Sequence, residues 1–128
     1  QPGLNSGMMI AQYTAAACCN EIISLTTPAS PANVVTSAGI EDYNSFGPRA
    51  AAKARRVLDL TQTVIAIELL CAAQGLEFHR PLRSGDAVEH AHARIRERVP
   101  PLSQDRVLAG DIDAVLAMVR DGSLLPPA

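Results

Sequence analysis

The chain has 128 residues, a length that suits one domain with a real core. Hydrophobic residues make up 48% of it, aromatic residues only 3%, and Trp is absent, a composition that favours closely packed helices over a β-sandwich. The net charge of −2 predicts neither a nucleic-acid partner nor an anionic membrane surface.

The first predicted helix covers residues 6–25, SGMMIAQYTAAACCNEIISL. Ser6 can cap its start, and most of the residues that follow are good or adequate helix formers. The segment is apolar on nearly all sides, so we expect most of it to be buried, with Gln12 and Tyr13 as hydrogen-bonded core groups. One domain of this size rarely hides a helix so completely, which indicates a larger bundle or an oligomer.

The three cysteines, Cys18, Cys19 and Cys71, lack the spacing of a zinc site or a disulfide framework. We interpret them as small buried hydrophobic groups in a reducing compartment, and a reactive thiol is the alternative. No signal peptide is visible, so we expect a cytoplasmic protein. Because the chain begins at Gln1 without a Met, we also expect it to be a piece of something longer.

Residues 26–47 lose helical periodicity and contain prolines and glycines. A loop of this length in a compact domain is usually functional or disordered. This one retains apolar side chains, which predicts an ordered loop; they are Val34, Val35, Ile40, Tyr43 and Phe46.

Within this loop the stretch TSAGIEDYNSFGP, residues 36–48, carries the adjacent acids Glu41 and Asp42. A solvated turn is the simplest interpretation, because loops are polar by default. Alternatively, Ile40, Tyr43 and Phe46 draw the acids into a partly apolar pocket. A carboxylate there could act as a base or an acid, or bind a cationic group.

A long helix is predicted over residues 48–74, with Pro48 in its first turn and Gly75 as its C-cap. Its polar face disappears after Thr63, so we expect the second half to be buried. Glu68 would then be a buried acid held by an arginine or a hydroxyl group. The longest nearly apolar run, VIAIELLCAA, is too short to span a bilayer, which predicts no membrane segment.

Two shorter helices are predicted beyond a linker, over residues 86–99 and about 110–121, the second ended by Gly122. Two histidines, His90 and His92, are two residues apart on the first of them and therefore point in different directions. We expect a solvated histidine face and no metal site.

Three stretches, GLNSGMMIAQYTAAA, PASPANVVTSAGIEDYNSFG and AIELLCAAQGLEF, carry a resemblance in this order and at these gaps. They resemble the ammonia-lyases of aromatic amino acids, strongly over about residues 1–78 and more weakly to the end. The resemblance implies a mainly helical homotetramer whose active sites mix residues from several subunits. It also implies a methylidene-imidazolone (MIO) electrophile, formed from an internal Ala-Ser-Gly, that helps to eliminate ammonia from an amino acid substrate.

The same resemblance suggests that the chain is the C-terminal part of a longer lyase subunit, an all-α segment of a long-helix bundle with one ordered loop. Residues 1–78 would belong to the central helical bundle and include the 26–47 loop, and residues 79–128 would form a C-terminal helical segment. No Ala-Ser-Gly occurs in the 128 residues, so the chain alone is expected to be inactive.

The resemblance also assigns Glu41 to the active site, because it matches the Glu of a Ser-Ala-Asn-Gln-Glu-Asp-His pattern in the histidine-specific branch. The phenylalanine and tyrosine branch tends to have Gln there. Because a carboxylate can pair with an imidazole, Glu41 favours elimination of ammonia from L-histidine to give urocanate, as a substrate-binding or catalytic residue. Asp42 and Asn44 are expected to hold the loop in shape through backbone hydrogen bonds.

Two departures from that pattern, Ile40 in place of Gln and Tyr43 in place of His, leave other substrates open. A tyrosine or phenylalanine ammonia-lyase, or an aminomutase, is therefore an alternative. A non-catalytic helical oligomerisation module is an alternative from a different class.

Overall fold

The computed structural model of the protein describes residues 5–41 and 43–126. Four α-helices follow in chain order: α1 (Gly7–Leu25), α2 (Gly47–Glu77), α3 (Asp86–Arg96) and α4 (Ala109–Asp121). Between α1 and α2 lie two single-turn 3-10 helices, Ser30–Ala32 and Ser37–Gly39. Within these ranges there is no strand, and the prediction of an all-α segment with one long ordered loop is confirmed.

Helix α2 is the centre of the fold, and both α1 and α4 pack against it. Its inward residues Ala66, Leu70 and Ala73 are spaced four and three apart, so they lie on one face of the helix. They meet Ile95 of α3, Val115 of α4 and Val99, which follows α3, in a single buried cluster. Each Leu, Ile or Val buried in this way stabilises the fold by about 1.5–3 kcal/mol.

The end of α2 differs from its prediction. The helix begins with Pro48 in its first turn, as expected, but it continues through Gly75 to Glu77. The prediction of Gly75 as the C-cap was therefore wrong. A glycine inside a helix costs about 1 kcal/mol relative to Ala. Contacts of the last two turns offset that cost, because Gln74 binds Leu102 and Glu77 binds α3.

The start of α1 is capped from a distant part of the chain. The Ser6 side chain makes no capping hydrogen bond. Instead, Asp105 Oδ2 accepts hydrogen bonds from the backbone N–H groups of Ser6 (2.8 Å) and Gly7 (3.1 Å). A carboxylate is favourable there because the helix N-terminus carries partial positive charge. A Cβ at Gly7 would lie 2.9 Å from Asp105 Oδ1, so a larger residue there would require the Asp105 side chain to shift.

Most of α1 is open on the described chain, contrary to expectation. Ala11 is its one buried residue, and Tyr13 is 59% exposed. Gln12 is exposed as well. The prediction of Gln12 and Tyr13 as core groups was wrong for this chain, because α1 packs on α2 through one face and no other described element covers the rest.

Cys19 is exposed, while Cys18 and Cys71 are half-buried, and all three are free thiols. The interpretation as buried hydrophobic groups therefore fails for Cys19. Burial raises the pKa of the Cys71 thiol, whose sulfur lies 3.7 Å from Met8 Sδ. Glu68 is exposed on the outer face of α2, so the expectation of a buried, paired acid was also wrong.

By length and composition α2 could cross a membrane, since its 31 residues include an apolar stretch longer than the run VIAIELLCAA. This is weak evidence, because the central helix of a water-soluble protein meets the same test. The absence of a membrane partner stays a prediction.

The two C-terminal helices follow their sequence signals. Helix α3 ends at Arg96, three residues before the predicted end, and has acids in its first turn and arginines in its last turn, which complements the helix dipole. Helix α4 is ended by Gly122 in a left-handed conformation, φ 75°. The division at residues 78 and 79 stays a prediction, and the core cluster draws residues from both sides of it.

Candidate functional site

The α1–α2 loop, residues 26–46, carries the predicted site residue Glu41 and is closed at its base by two asparagines. Asn33 Nδ2 donates to the backbone oxygen of Asn44 (2.8 Å), and Asn33 Oδ1 accepts from the backbone N–H of Asn44 (3.1 Å). Asn44 Nδ2 donates in return to Val34 O (3.1 Å) and to Thr36 Oγ1 (3.3 Å). The two ends of the loop tip are therefore held together by side-chain amides.

Above this base, the backbones of Thr36 and Glu41 pair in an isolated antiparallel bridge. Thr36 N–H donates to Glu41 O (2.8 Å), and Glu41 N–H donates to Thr36 O (3.3 Å). The chain reverses between them through consecutive left-handed residues: Ser37 (φ 54°), Ala38 (φ 56°) and Gly39 (φ 86°). The left-handed conformation costs about 1–2 kcal/mol for each residue that has a Cβ. Each loop hydrogen bond offsets about 0.5–1.5 kcal/mol of that cost.

Glu41 is thus fixed through its backbone, while its side chain is exposed. Ile40 (83% exposed) and Tyr43 (72%) beside it are also open, and Phe46 is half-buried. The apolar pocket, which was the alternative interpretation, is not formed by the described residues, because Ile40 and Tyr43 are exposed. The exposed Glu41 side chain agrees with the simpler interpretation of a solvated turn. Asp42 lies outside the described residues.

Asn44 makes the backbone contacts that a loop-shaping residue requires, and its contribution to the loop's stability stays a prediction. Asn33 was missed by sequence reasoning. The available signal was its residue type, since asparagine side chains readily bind backbone groups in loops. The sequence offered no reason to pair it with Asn44.

The foot of the loop is anchored to α1 and α2. Lys53 Nζ on α2 donates to the backbone oxygen of Thr27. Arg56 on α2 makes two hydrogen bonds to Glu21 on α1, Nε to Oε1 at 2.6 Å and Nη2 to Oε2 at 3.0 Å. This forked contact lowers the pKa of the Glu21 carboxyl. Together the contacts fix the direction in which the loop leaves the helices.

The histidine prediction fails for His92, whose side chain is only 11% exposed. Its Nε2 lies 2.8 Å from Glu77 Oε1, and its Nδ1 lies 3.1 Å from Arg80 Nη2. The two partners assign the imidazole proton to Nε2. Hydrogen bonds from Arg96 and then His92 hold the pKa of Glu77 below its ordinary value. The salt bridge from Arg80 Nη1 to Glu89 Oε1 (2.8 Å) extends this network, which joins the end of α2 to α3.

No group of three or more potential metal ligands occurs in residues 5–41 and 43–126. A cavity of about 830 Å³ lies between the starts of α1 and α4; its walls include Ile10, Thr14, Asp105, Val107 and Ile112, and Glu41 is not among its lining residues. Two charged groups of this lining already serve the fold, since Asp105 caps α1 and Arg106 pairs with Asp111. We therefore place the candidate site at the loop, which carries Glu41.

Comparisons with known proteins agree on one family. Residues 1–97 match the family model described as "Aromatic amino acid lyase". A histidine ammonia-lyase of Anaeromyxobacter sp. (strain K) is 53% identical over 97% of this chain and 24% of its own length.

Two crystal structures are also similar. The histidine ammonia-lyase of Trypanosoma cruzi has a TM-score of 0.89 and 42% identity, over 94% of this chain and 24% of that one. The tyrosine aminomutase of Streptomyces globisporus has a TM-score of 0.89 and 34% identity, over 97% and 24%.

The chain spans about a quarter of the length of the relatives it matches. The family match nevertheless covers more than half of the chain, and the described fold superimposes on those lyases and aminomutases along nearly all of it. The chain therefore belongs to the aromatic amino acid lyase family.

Proposed function

We propose that the chain is the C-terminal quarter of an ammonia-lyase subunit that converts L-histidine to urocanate and ammonia. The observation that supports this most is the 53% identity to a histidine ammonia-lyase over 97% of the chain. The acid at position 41 adds chemistry to it, because imidazole can donate a hydrogen bond to a carboxylate or carry a charge that pairs with one.

In this proposal Glu41 is the contribution of the α1–α2 loop to the active site. Its backbone is held by the bridge to Thr36, and its carboxylate is free to meet a substrate. It would bind the imidazole ring or transfer a proton during the elimination. Both roles need a carboxylate that is placed by its backbone rather than tied up in a local salt bridge.

The MIO electrophile would come from another part of the subunit. It forms from an Ala-Ser-Gly tripeptide, and none occurs in these 128 residues, so the residues present cannot supply it. We therefore expect no turnover by the chain alone.

The rest of the subunit and further copies would cover the open apolar surface, in a cytoplasmic homotetramer. Candidate contact residues lie on α1 and on the loop; they are Met9, Ile10, Ile23, Val34 and Val35, all at least half exposed. A patch of exposed apolar side chains is typical of an interface.

A tyrosine or phenylalanine lyase or aminomutase is the second candidate. It is supported by the 34% identity and TM-score of 0.89 to tyrosine aminomutase, and by Ile40 and Tyr43 beside the acid. The two candidates differ in what the ring of the substrate offers to Glu41. Imidazole can donate an N–H or carry a positive charge, the phenol of tyrosine offers a neutral O–H, and the phenyl ring of phenylalanine offers no donor.

A chimera tests the proposal. The matching quarter of the Anaeromyxobacter sp. (strain K) histidine ammonia-lyase would be replaced by this chain, and urocanate formation would be measured with L-tyrosine and L-phenylalanine as competing substrates. We expect turnover of L-histidine. In the same chimera, Glu41→Gln should lower the turnover of L-histidine. Asp113→Asn, which changes an exposed acid on α4, serves as its control. A chimera of native size that prefers tyrosine supports the second candidate, and one that turns over no substrate supports a non-catalytic module.

A further inference from the structure

The side chain of Asn33 is half-buried at the base of the α1–α2 loop and makes three local hydrogen bonds. Its Nδ2 donates to Asn44 O at 2.8 Å. Its Oδ1 accepts from Asn44 N–H at 3.1 Å and from Val34 N–H at 3.0 Å. A primary amide can donate twice and accept twice, so most of its capacity is committed to the loop backbone.

A side-chain amide has the same hydrogen-bonding groups as a peptide unit. By exchanging a donor and an acceptor with the peptide groups of Asn44, Asn33 reproduces one step of an antiparallel strand pair. The next step is the backbone bridge between Thr36 and Glu41. The loop tip is therefore a short antiparallel ladder in which the Asn33 side chain takes the place of one backbone pairing partner.

The turn beyond that ladder requires the left-handed residues Ser37 and Ala38, which are unfavourable without support. Such a turn persists only where the surrounding contacts determine it. Within the described residues of the loop, the side chains of Asn33 and Asn44 join the two sides below the Thr36–Glu41 bridge.

We propose that Asn33 is a positioning residue of the lyase site, which acts through Asn44 and the Thr36–Glu41 bridge to fix where the Glu41 carboxylate meets the substrate. This inference rests on the proposed function. Asn33 is not a catalytic residue, because its hydrogen bonds go to backbone groups at the loop base and none reaches the Glu41 side chain.

Two variants in the complete active subunit test the inference. Asn33→Ala removes all three hydrogen bonds. Asn33→Asp keeps the size and both acceptor contacts but places an oxygen against Asn44 O, which is repulsive. We expect each to lower kcat/KM for the substrate about 10-fold, with the same division between kcat and KM that Glu41→Gln produces. Gln104→Ala, the loss of an exposed amide outside the loop, should leave kcat/KM unchanged.

The combined variant Asn33→Ala/Glu41→Gln distinguishes positioning from general support of the fold. If Asn33 acts through Glu41, the double variant is within about 2-fold of Glu41→Gln alone, because coupled residues are not additive. Multiplied effects, or an Asn33→Asp enzyme equal to the parent, would overturn the inference.

Hydrogen exchange provides a readout that does not depend on activity. In Asn33→Ala, the backbone amides of Asn44 and of the Thr36–Glu41 bridge should exchange at least 10-fold faster, while amides of α2 keep their rates. Unchanged exchange at Asn44 would overturn the inference that the Asn33 side chain holds the two sides of the loop together. A parent enzyme that does not turn over histidine overturns the proposed function, whereas an active parent with silent Asn33 variants overturns only this inference.

Discussion

The corner where α2, α3 and α4 meet and the α1–α2 loop are stabilised in different ways. The corner buries apolar side chains around Leu70 and Val115 and surrounds them with salt bridges. The loop is held by amide hydrogen bonds and leaves its apolar residues Ile40 and Tyr43 in the open. The corner therefore buries its apolar side chains within the described chain, whereas the loop keeps its shape with its apolar side chains exposed.

The largest effect on the free energy of unfolding is expected from a substitution in the core cluster of the corner. Leu70→Ala removes a fully packed side chain from the core cluster and should lower the free energy of unfolding by about 2–5 kcal/mol. The matched control on the same helix is Leu58→Ala, which changes an exposed leucine and should cost less than about 1 kcal/mol. Urea unfolding followed by circular dichroism measures both. Equal losses would contradict the placement of the core.

Low pH should weaken the contacts that hold α3 against the end of α2. Hydrogen bonds from Arg80 and then from Ser84 N–H lower the pKa of Glu89 to about 2, from an ordinary value of 4.5. A carboxyl whose pKa is lower in the folded state stabilises the fold above its unfolded pKa, and this contribution is lost as the pH falls. The Tm should therefore fall between about pH 5 and pH 2.

The variant Glu89→Gln removes this titration and should flatten that part of the pH profile. Asp86→Asn, which changes an exposed acid in the same first turn of α3, should leave the slope nearly intact. A profile that is equally steep in Glu89→Gln and in the parent would show that Glu89 is not paired as described.

The smallest expected effect compares the two regions with the same substitution. Gly39 in the loop has φ +86°, so Gly39→Ala places a Cβ in the left-handed region and should cost about 1 kcal/mol. Gly75 inside α2 has open space at its Cβ position, so Gly75→Ala should stabilise by up to about 1 kcal/mol. Hydrogen exchange of the loop amides and thermal unfolding measure the two changes. Stability changes of the same sign in both variants would contradict the left-handed conformation of Gly39 or the helical conformation of Gly75.

The helices could be predicted because their signals are local. The apolar stripe of α2 and the glycine after α4 are read within a few residues. The continuation of α2 past Gly75 could not be predicted, because it depends on the contact between Glu77 and α3. Asp105 caps the start of α1 by binding Ser6 and Gly7, which lie 99 and 98 positions before it in the sequence. No local pattern indicates such a contact.

The candidate site divides in the same way. Glu41 was predicted from resemblance to a known loop, and its role stays a prediction. The hydrogen bonds between Asn33 and Asn44 could be recognised only in the folded backbone. The burial of α1 was predicted wrongly because its apolar composition does not show which element would cover it, and in the described chain α1 packs against α2 through one face. Apolar pattern indicates that a surface is covered, but not by which element.

The most direct test of the account is the ratio of kcat/KM for L-histidine to kcat/KM for L-tyrosine, measured for the complete lyase with and without Glu41→Gln. The account predicts that the parent prefers histidine and that Glu41→Gln reduces its histidine turnover by about 10- to 100-fold, as expected for loss of a charged hydrogen bond. Tyrosine turnover should change much less. An unchanged ratio would contradict the assignment of Glu41 to imidazole recognition.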